Sequence, residues 1–261
     1  MQVGPGTRVL ITGASRGIGA ALARAFAAAG ATLGLVARSR EQLDSLTSSL
    51  PGEGHRALTA DVGDAASIAA AVSEFGDLDV VVANAGITHY RPFAEQPLDE
   101  VEQMTRVNWL GTAYTVHAAL PGMIERRRGH VVVISSGAGL RAFPSAAVYG
   151  ATKAAQRGFA GALRHELAGT GVSVTTVYPG EIETSLHDHE MDRMPEWYRL
   201  DRRGPAEPLA EKVVAAVRAD RAEVFHPPEV RLLGATHAIE PRLADVFLRR
   251  ILHPGAAPRR G

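Results

Sequence analysis

The stretch Arg8-Val9-Leu10-Ile11-Thr12-Gly13-Ala14-Ser15-Arg16-Gly17-Ile18-Gly19 decides the fold. An apolar run of strand length passes into a turn with glycines at 13, 17 and 19, and the Ala-rich residues 17–29 read as a helix. Glycine lets the backbone turn sharply, while the N–H groups and dipole at a helix start favour an anion. Strand, glycine turn and helix in that order form the setting that a dinucleotide pyrophosphate requires; a plain tight turn is the alternative.

Outward from this stretch the same alternation continues. Val, Ile and Leu-rich runs occupy 32–37, 57–60, 78–83, 130–135, 172–178 and 223–225, and their near-continuous apolarity suits strands buried on both faces. Helix-length segments lie between them at 41–50, 65–75, 149–168 and 207–218. Asp64 and Pro208 mark helix starts, and Gly30, Gly169 and Gly171 mark helix ends. The expectation is a doubly wound α/β domain around a mostly parallel sheet of about seven strands. It spans 1–261 as one domain, with 185–205 as a substrate lid and 226–261 as a C-terminal extension. The basic run Arg126-Arg127-Arg128 reads as a solvated helix end.

Composition narrows the function classes. With 28 basic and 28 acidic residues there is no net field to draw nucleic acid. The absence of cysteine excludes disulfides, thiolate catalysis and cysteine-based zinc sites, and it fits a cytoplasmic protein. No export-type segment opens the chain, and no run approaches the ~20 apolar residues of a spanning helix. Only two basic residues are lysines, Lys153 and Lys212, so a retained lysine points to chemistry that arginine does not supply.

Lys153 stands four residues after Tyr149 in Tyr149-Gly150-Ala151-Thr152-Lys153. That spacing puts both side chains on one helix face, where an ammonium favours ionisation of a phenol whose reference pKa is ~10. With five tyrosines and two lysines, such a pair arises by chance about 0.04 times in this length. The alternative is a surface pair.

Together, the Gly13/Gly17/Gly19 spacing and the Tyr-xxx-Lys element resemble the short-chain dehydrogenase/reductase family over roughly residues 7–184. The resemblance implies a Rossmann-type domain. It also implies hydride transfer between a nicotinamide and a carbonyl or secondary alcohol, a small-molecule substrate, with Tyr149 as acid–base. Ser15, Arg16 and Ile18 belong to the glycine loop. The second strand ends Val36-Ala37-Arg38-Ser39-Arg40, with no carboxylate for a ribose 2′-hydroxyl. Arg38 and Arg16 suit a 2′-phosphate instead, which favours NADP(H); solvated helix-start residues are the alternative. By the same resemblance Asp61 and Val62 border the adenine, although Asp61 also suits a turn or cap, and Asn84-Ala85-Gly86 border the cofactor. Pro179, Gly180, Ile182 and Thr184 lie beside the nicotinamide. Ser136, thirteen residues before Tyr149, is the serine that polarises the carbonyl. Ser135 is the reserve, since neighbouring strand residues face opposite ways. Asn108 is the fourth catalytic member, supporting a water that relays protons to Lys153; otherwise it simply bends its helix.

Two rival functions share these motifs. One is an NAD(P)-dependent epimerase or dehydratase, whose usual G-x-x-G-x-x-G pattern differs from the one here. The other is a non-catalytic NADP-sensing protein, which needs no Tyr149 or Lys153. His187-Asp188-His189-Glu190 reads as a polar lid and not a metal site. Trp197, Tyr198, Met191, Met194 and Tyr90 suit an apolar cleft or lid packing. Gly158, Phe159, Gly161, Ala162 and Leu163 exceed one buried stripe, and with the family's pairing of such helices they imply a homodimer or homotetramer. Leu243, Val246, Phe247 and Ile251 make 241–252 an amphipathic helix, expected to pack on the protein; a membrane-surface contact is the alternative.

Overall fold

The computed structural model describes residues 1–141, 143–184, 186, 190 and 204–240. Among them β1 (Arg8–Thr12), β2 (Thr32–Ala37), β3 (Arg56–Thr59), β4 (Val80–Ala83), β5 (Gly129–Ile134), β6 (Val172–Pro179) and β7 (Glu223–His226) form one sheet. Its order is β3-β2-β1-β4-β5-β6-β7, and every neighbouring pair is parallel. The doubly wound sheet expected from the alternation is the observed one, with strand ends displaced by a residue or two.

Parallel strands need crossovers, which the helices provide. These are α1 (Gly17–Ala28), α2 (Arg40–Ser49), α3 (Ala65–Phe75), α4 (Leu98–Met104), α5 (Gly111–Glu125), α6 (Ala147–Glu166), α7 (Glu207–Arg218) and α8 (Val230–Ile239). Side chains alternate across each strand, so β1 feeds two cores. Val9 and Ile11 pack with α1, α2 and α7, while Leu10 packs with α3, α5 and α6. Burial of a side chain such as Leu22 or Phe26 contributes about 1.5–3 kcal/mol, and both are fully enclosed. Caps act where the sequence placed them: Asp64 Oδ1 accepts from Ala66 N at 3.0 Å, and Gly30 carries φ +91° just past α1.

Three regions add to the expectations. The helical passage that carries Asn108 is interrupted by a π turn, Thr105–Leu110, between α4 and α5. The basic run 126–128 is exposed, yet each guanidinium has a partner: Arg126 with Asp77, Arg127 with the Gly169 carbonyl, Arg128 with Asp79. Residues 226–240, read as part of an extension, supply α8, whose Val230 packs with Leu140, Tyr178 and Phe225. The proposed helix at 241–252 lies outside the described residues, as does most of the proposed lid. Among the described residues no helix is long and apolar enough to cross a membrane.

Because β1 and β4 are neighbours in space but not in sequence, the winding reverses between them. A crevice opens there beyond the carboxyl ends of the strands.

Candidate active site

A cleft of about 370 Å³ occupies that crevice. Gly13, Ser15, Arg16, Gly17, Ile18 and Gly19 form one wall. Gly13 and Gly17 have φ of +64° and +53°, the left-handed region where glycine carries no steric cost. A Cβ on Gly19 would collide with the Gly13 carbonyl oxygen, and one on Gly13 would lie 2.7 Å from Ala85 Cα. The loop therefore exists in this shape only with these glycines, and it leaves a cradle of backbone at the N-terminus of α1.

Asn84, Ala85 and Gly86 continue the floor. Asn84 Nδ2 donates to the Thr12 and Gly13 carbonyls at 2.9 and 3.2 Å, and Thr12 Oγ1 accepts from Asn84 N and Ala85 N. The side chain of Asn84 thus clamps the ends of β1 and β4 together. Gly86 separates two polar groups, since a Cβ there would lie 3.4 Å from Asn108 Oδ1 and 3.6 Å from Lys153 Nζ.

Arg38, Ser39 and Gln42 line the cleft together with Arg16. Among the described residues neither Arg16 nor Arg38 has a hydrogen-bond or ion-pair partner, whereas Arg40 is engaged by Asp44 at 2.9 Å. Ser39 caps α2, accepting from Gln42 N at 3.4 Å, and both residues line the cleft. Asp61 and Val62 line the neighbouring wall. Asp61 Oδ1 accepts from Gly63 N at 2.8 Å, the turn role open to it in the sequence.

Tyr149 and Lys153 lie on the first turns of α6, both buried, with Lys153 Nζ 5.7 Å from the tyrosine ring centroid. Lys153 Nζ donates to the Ile134 carbonyl at 3.0 Å. Burial pushes its pKa down to about 7 by penalising the ammonium. The neighbouring serines lie just past β5 and both line the cleft, but their hydroxyls take different partners. Ser135 Oγ donates to the Lys153 carbonyl at 2.8 Å, anchoring α6, and Ser136 Oγ accepts from Ala138 N at 3.1 Å at the cleft. The side chain of Asn108 is fully engaged: Oδ1 accepts from Ile87 N at 2.8 Å, and Nδ2 donates to Ile87 O and Thr152 Oγ1 at 3.0 Å each. Pro179, Gly180, Ile182 and Thr184 close the cleft after β6. Thr184 reaches the glycine loop, its Cβ 3.1 Å from where a Gly17 Cβ would lie.

Residues 7–194 match the family profile described as short chain dehydrogenase. The chain belongs to the short-chain dehydrogenase family. It is a nicotinamide-dependent oxidoreductase of that family. Over 187 residues it is 41% identical to a glycine betaine reductase of Emericella nidulans, covering 69% of this chain but only 15% of that protein. An uncharacterized oxidoreductase of Listeria monocytogenes is 37% identical over 193 residues, 71% of this chain and 78% of that one. Among solved structures, the closed form of a serine dehydrogenase complexed with NADP+ superposes with a TM-score of 0.78. It shares 30% identity, covering 84% of this chain and 94% of that one.

Every short-chain dehydrogenase motif residue read from the sequence except Asn108 lines this one cleft, and Asn108 lies directly behind it. The sequence reading gave no site role to Ala37, Ser39, Gln42, Ala60, Gln103, Val107 and Ile134, which also line the cleft, as do Ile87 and Leu186 from the loop at 87–93 and the segment at 186–204 expected to set substrate choice. Gln42 alone carried a local signal, as the third residue after a serine cap. Tyr90, assigned to an apolar cleft or lid packing, is buried with its ring 6.5 Å from that of Tyr149. Of the 187–190 cluster only Glu190 is described. It is buried, with His89 Nδ1 2.9 Å from its Oε1 and Tyr90 N donating to its Oε2 at 3.3 Å. Trp197, Tyr198, Met191 and Met194 lie outside the described residues.

Burial of Lys153 has a consequence for stability. Its folded pKa of about 7 is below the ordinary 10.5, so the unfolded chain binds the extra proton between those values. The penalty on the folded state is therefore full below pH 7 and fades as pH rises toward 10.5. Lys153→Met is expected to raise Tm, and to raise it more at pH 6 than at pH 9. Thermal unfolding at the two pH values, without cofactor, checks this; an equal or reversed difference contradicts it.

Proposed function

We propose that this chain is an NADP(H)-dependent reductase of ketones or aldehydes, equally able to oxidise the corresponding secondary or primary alcohols. The observation that carries the reading is the buried Tyr149–Lys153 pair, set in a cleft whose glycine loop leaves backbone N–H groups for a pyrophosphate. Arg16 and Arg38 line that cleft without carboxylate partners among the described residues, which supports a 2′-phosphate as their ligand. The serine dehydrogenase that superposes on this chain is complexed with NADP+, which supports the same choice.

A bound NADPH supplies the hydride. The protein's own groups then hold the substrate and handle the proton. Ser136 Oγ donates to the carbonyl oxygen and stabilises the charge that develops on it. Tyr149 Oη gives that oxygen its proton during reduction and takes it back during oxidation. Lys153 lies near the ring, where its ammonium favours phenolate, and it is the residue that would hold the ribose hydroxyls of a bound cofactor. Ser135 and the Ile134 carbonyl hold Lys153 in place from either side of its main chain and tip. Asn108 ties the loop at Ile87 to Thr152. Gly158 and Gly161 leave open space on α6, which supports pairing of that helix with a second copy.

The test is NADPH oxidation by the purified protein across ketones, aldehydes, quinones and acyl-ketones. Stoichiometric consumption of NADPH with alcohol formation in at least one class is expected. Turnover without net NADPH consumption, or none with any carbonyl, overturns the reading.

A further inference from the structure

Gln156 lies one turn beyond Lys153 on α6, is wholly buried, and takes no part in the chemistry above. Its Nε2 donates to the Asn108 carbonyl oxygen at 2.8 Å and to Thr112 Oγ1 at 2.7 Å. Thr112 Oγ1 donates to the same carbonyl at 2.8 Å. Because Asn108 offers an acceptor there, the amide must turn its NH2 toward the π turn, which leaves Gln156 Oε1 in the core. Among the described residues that oxygen has no hydrogen-bond partner.

An orphaned amide oxygen costs stability, and a methionine of similar length would not incur the cost. A residue that breaks a local rule in a well-packed core marks a functional constraint, and here the bonds lead to the reacting group. From Asn108 they run through its side chain to Ile87 and Thr152, and Thr152 Oγ1 donates to the Tyr149 carbonyl at 2.7 Å. A π turn is a tightly specified irregularity, frequent at functional sites, and it moves when its fastenings are lost.

We propose that Gln156 is a positioning residue for the reaction. By pinning the carbonyl of Asn108 it holds the π turn, and through Asn108 it sets Tyr149 against the cleft. The proposal rests on the reading of Tyr149 as the acid–base group. It also gives the Asn108 carbonyl a specific duty, because two side-chain donors already occupy that oxygen.

The test uses Gln156→Met, which keeps length and apolar volume but removes the donor. With a substrate found in the NADPH screen, kcat is expected to fall about tenfold or more, as small misplacements of reacting groups do. KM and cofactor Kd should remain close to wild type, and Tm should not fall. Gln156→Glu provides a second readout, since a carboxyl at this place donates to the Asn108 carbonyl only when protonated. Its kcat should therefore fall with rising pH along a limb that the wild type lacks. Wild-type kcat in Gln156→Met, or losses that merely follow Tm and cofactor affinity, overturn the proposal. So does a wild-type pH profile in Gln156→Glu. Should Gln156→Met not fold, Gln156→Glu decides alone. A wild type that reduces no carbonyl is the failure of the parent reading, seen before any variant is made.

Discussion

Tyr149→Phe is expected to lower kcat about 10²–10⁴-fold while cofactor affinity stays within a few-fold. The substitution removes one oxygen and keeps the ring. The ring is what packs, since Tyr149 is buried with Tyr90, Met104, Ala138, Ala146 and Val148. Lys153 retains its bond to the Ile134 carbonyl, because that contact does not involve the phenol. Fold and binding should survive, and only the proton donor should be lost. Steady-state rates with NADPH, together with cofactor titration by fluorescence, separate the two effects. A variant that keeps a tenth of wild-type kcat would remove Tyr149 from the chemistry.

Arg38→Asp should reverse the cofactor preference. A charge-assisted hydrogen bond to phosphate contributes about 1.5–3 kcal/mol, or roughly tenfold to hundredfold in affinity. Aspartate removes it and sets a like charge against the 2′-phosphate, so NADPH binding should weaken by more than that range's lower end. The same carboxylate can accept from a 2′-hydroxyl, so NADH binding should hold or improve. Arg16, which also lines the cleft, limits the loss, so the double variant should be worse than either single one. Equal weakening of both cofactors would contradict the assignment of these arginines.

How much of this was legible in advance depends on the range of the interactions. The order of strands and helices followed from short apolar runs, because side-chain alternation and parallel crossovers leave few arrangements for seven such strands. The glycine loop was equally legible. Gly13 and Gly17 need positive φ and Gly19 close backbone approach, and those demands are local to eight residues. The Tyr149–Lys153 pairing followed from helix periodicity, which places i and i+4 on one face whatever surrounds them.

Other features came from contacts between segments far apart in the chain. The sequence left Ser135 and Ser136 as alternatives, and the carbonyl of Lys153 claims Ser135 across eighteen positions. The bent-helix reading of Asn108 became a π turn held by Thr112 and Gln156, the latter forty-eight residues away. Gln156 itself gave no signal, because a single glutamine on a helix face looks like any solvated residue until a neighbouring helix buries it. What could be read from residues alone was the alternation of strands and helices, the glycine cradle and the tyrosine–lysine spacing, all products of backbone sterics and fixed periodicity, whereas the strand order came from the structure. The partners of each buried polar group were decided only by tertiary packing, since which donor meets which acceptor depends on elements brought together from distant parts of the chain.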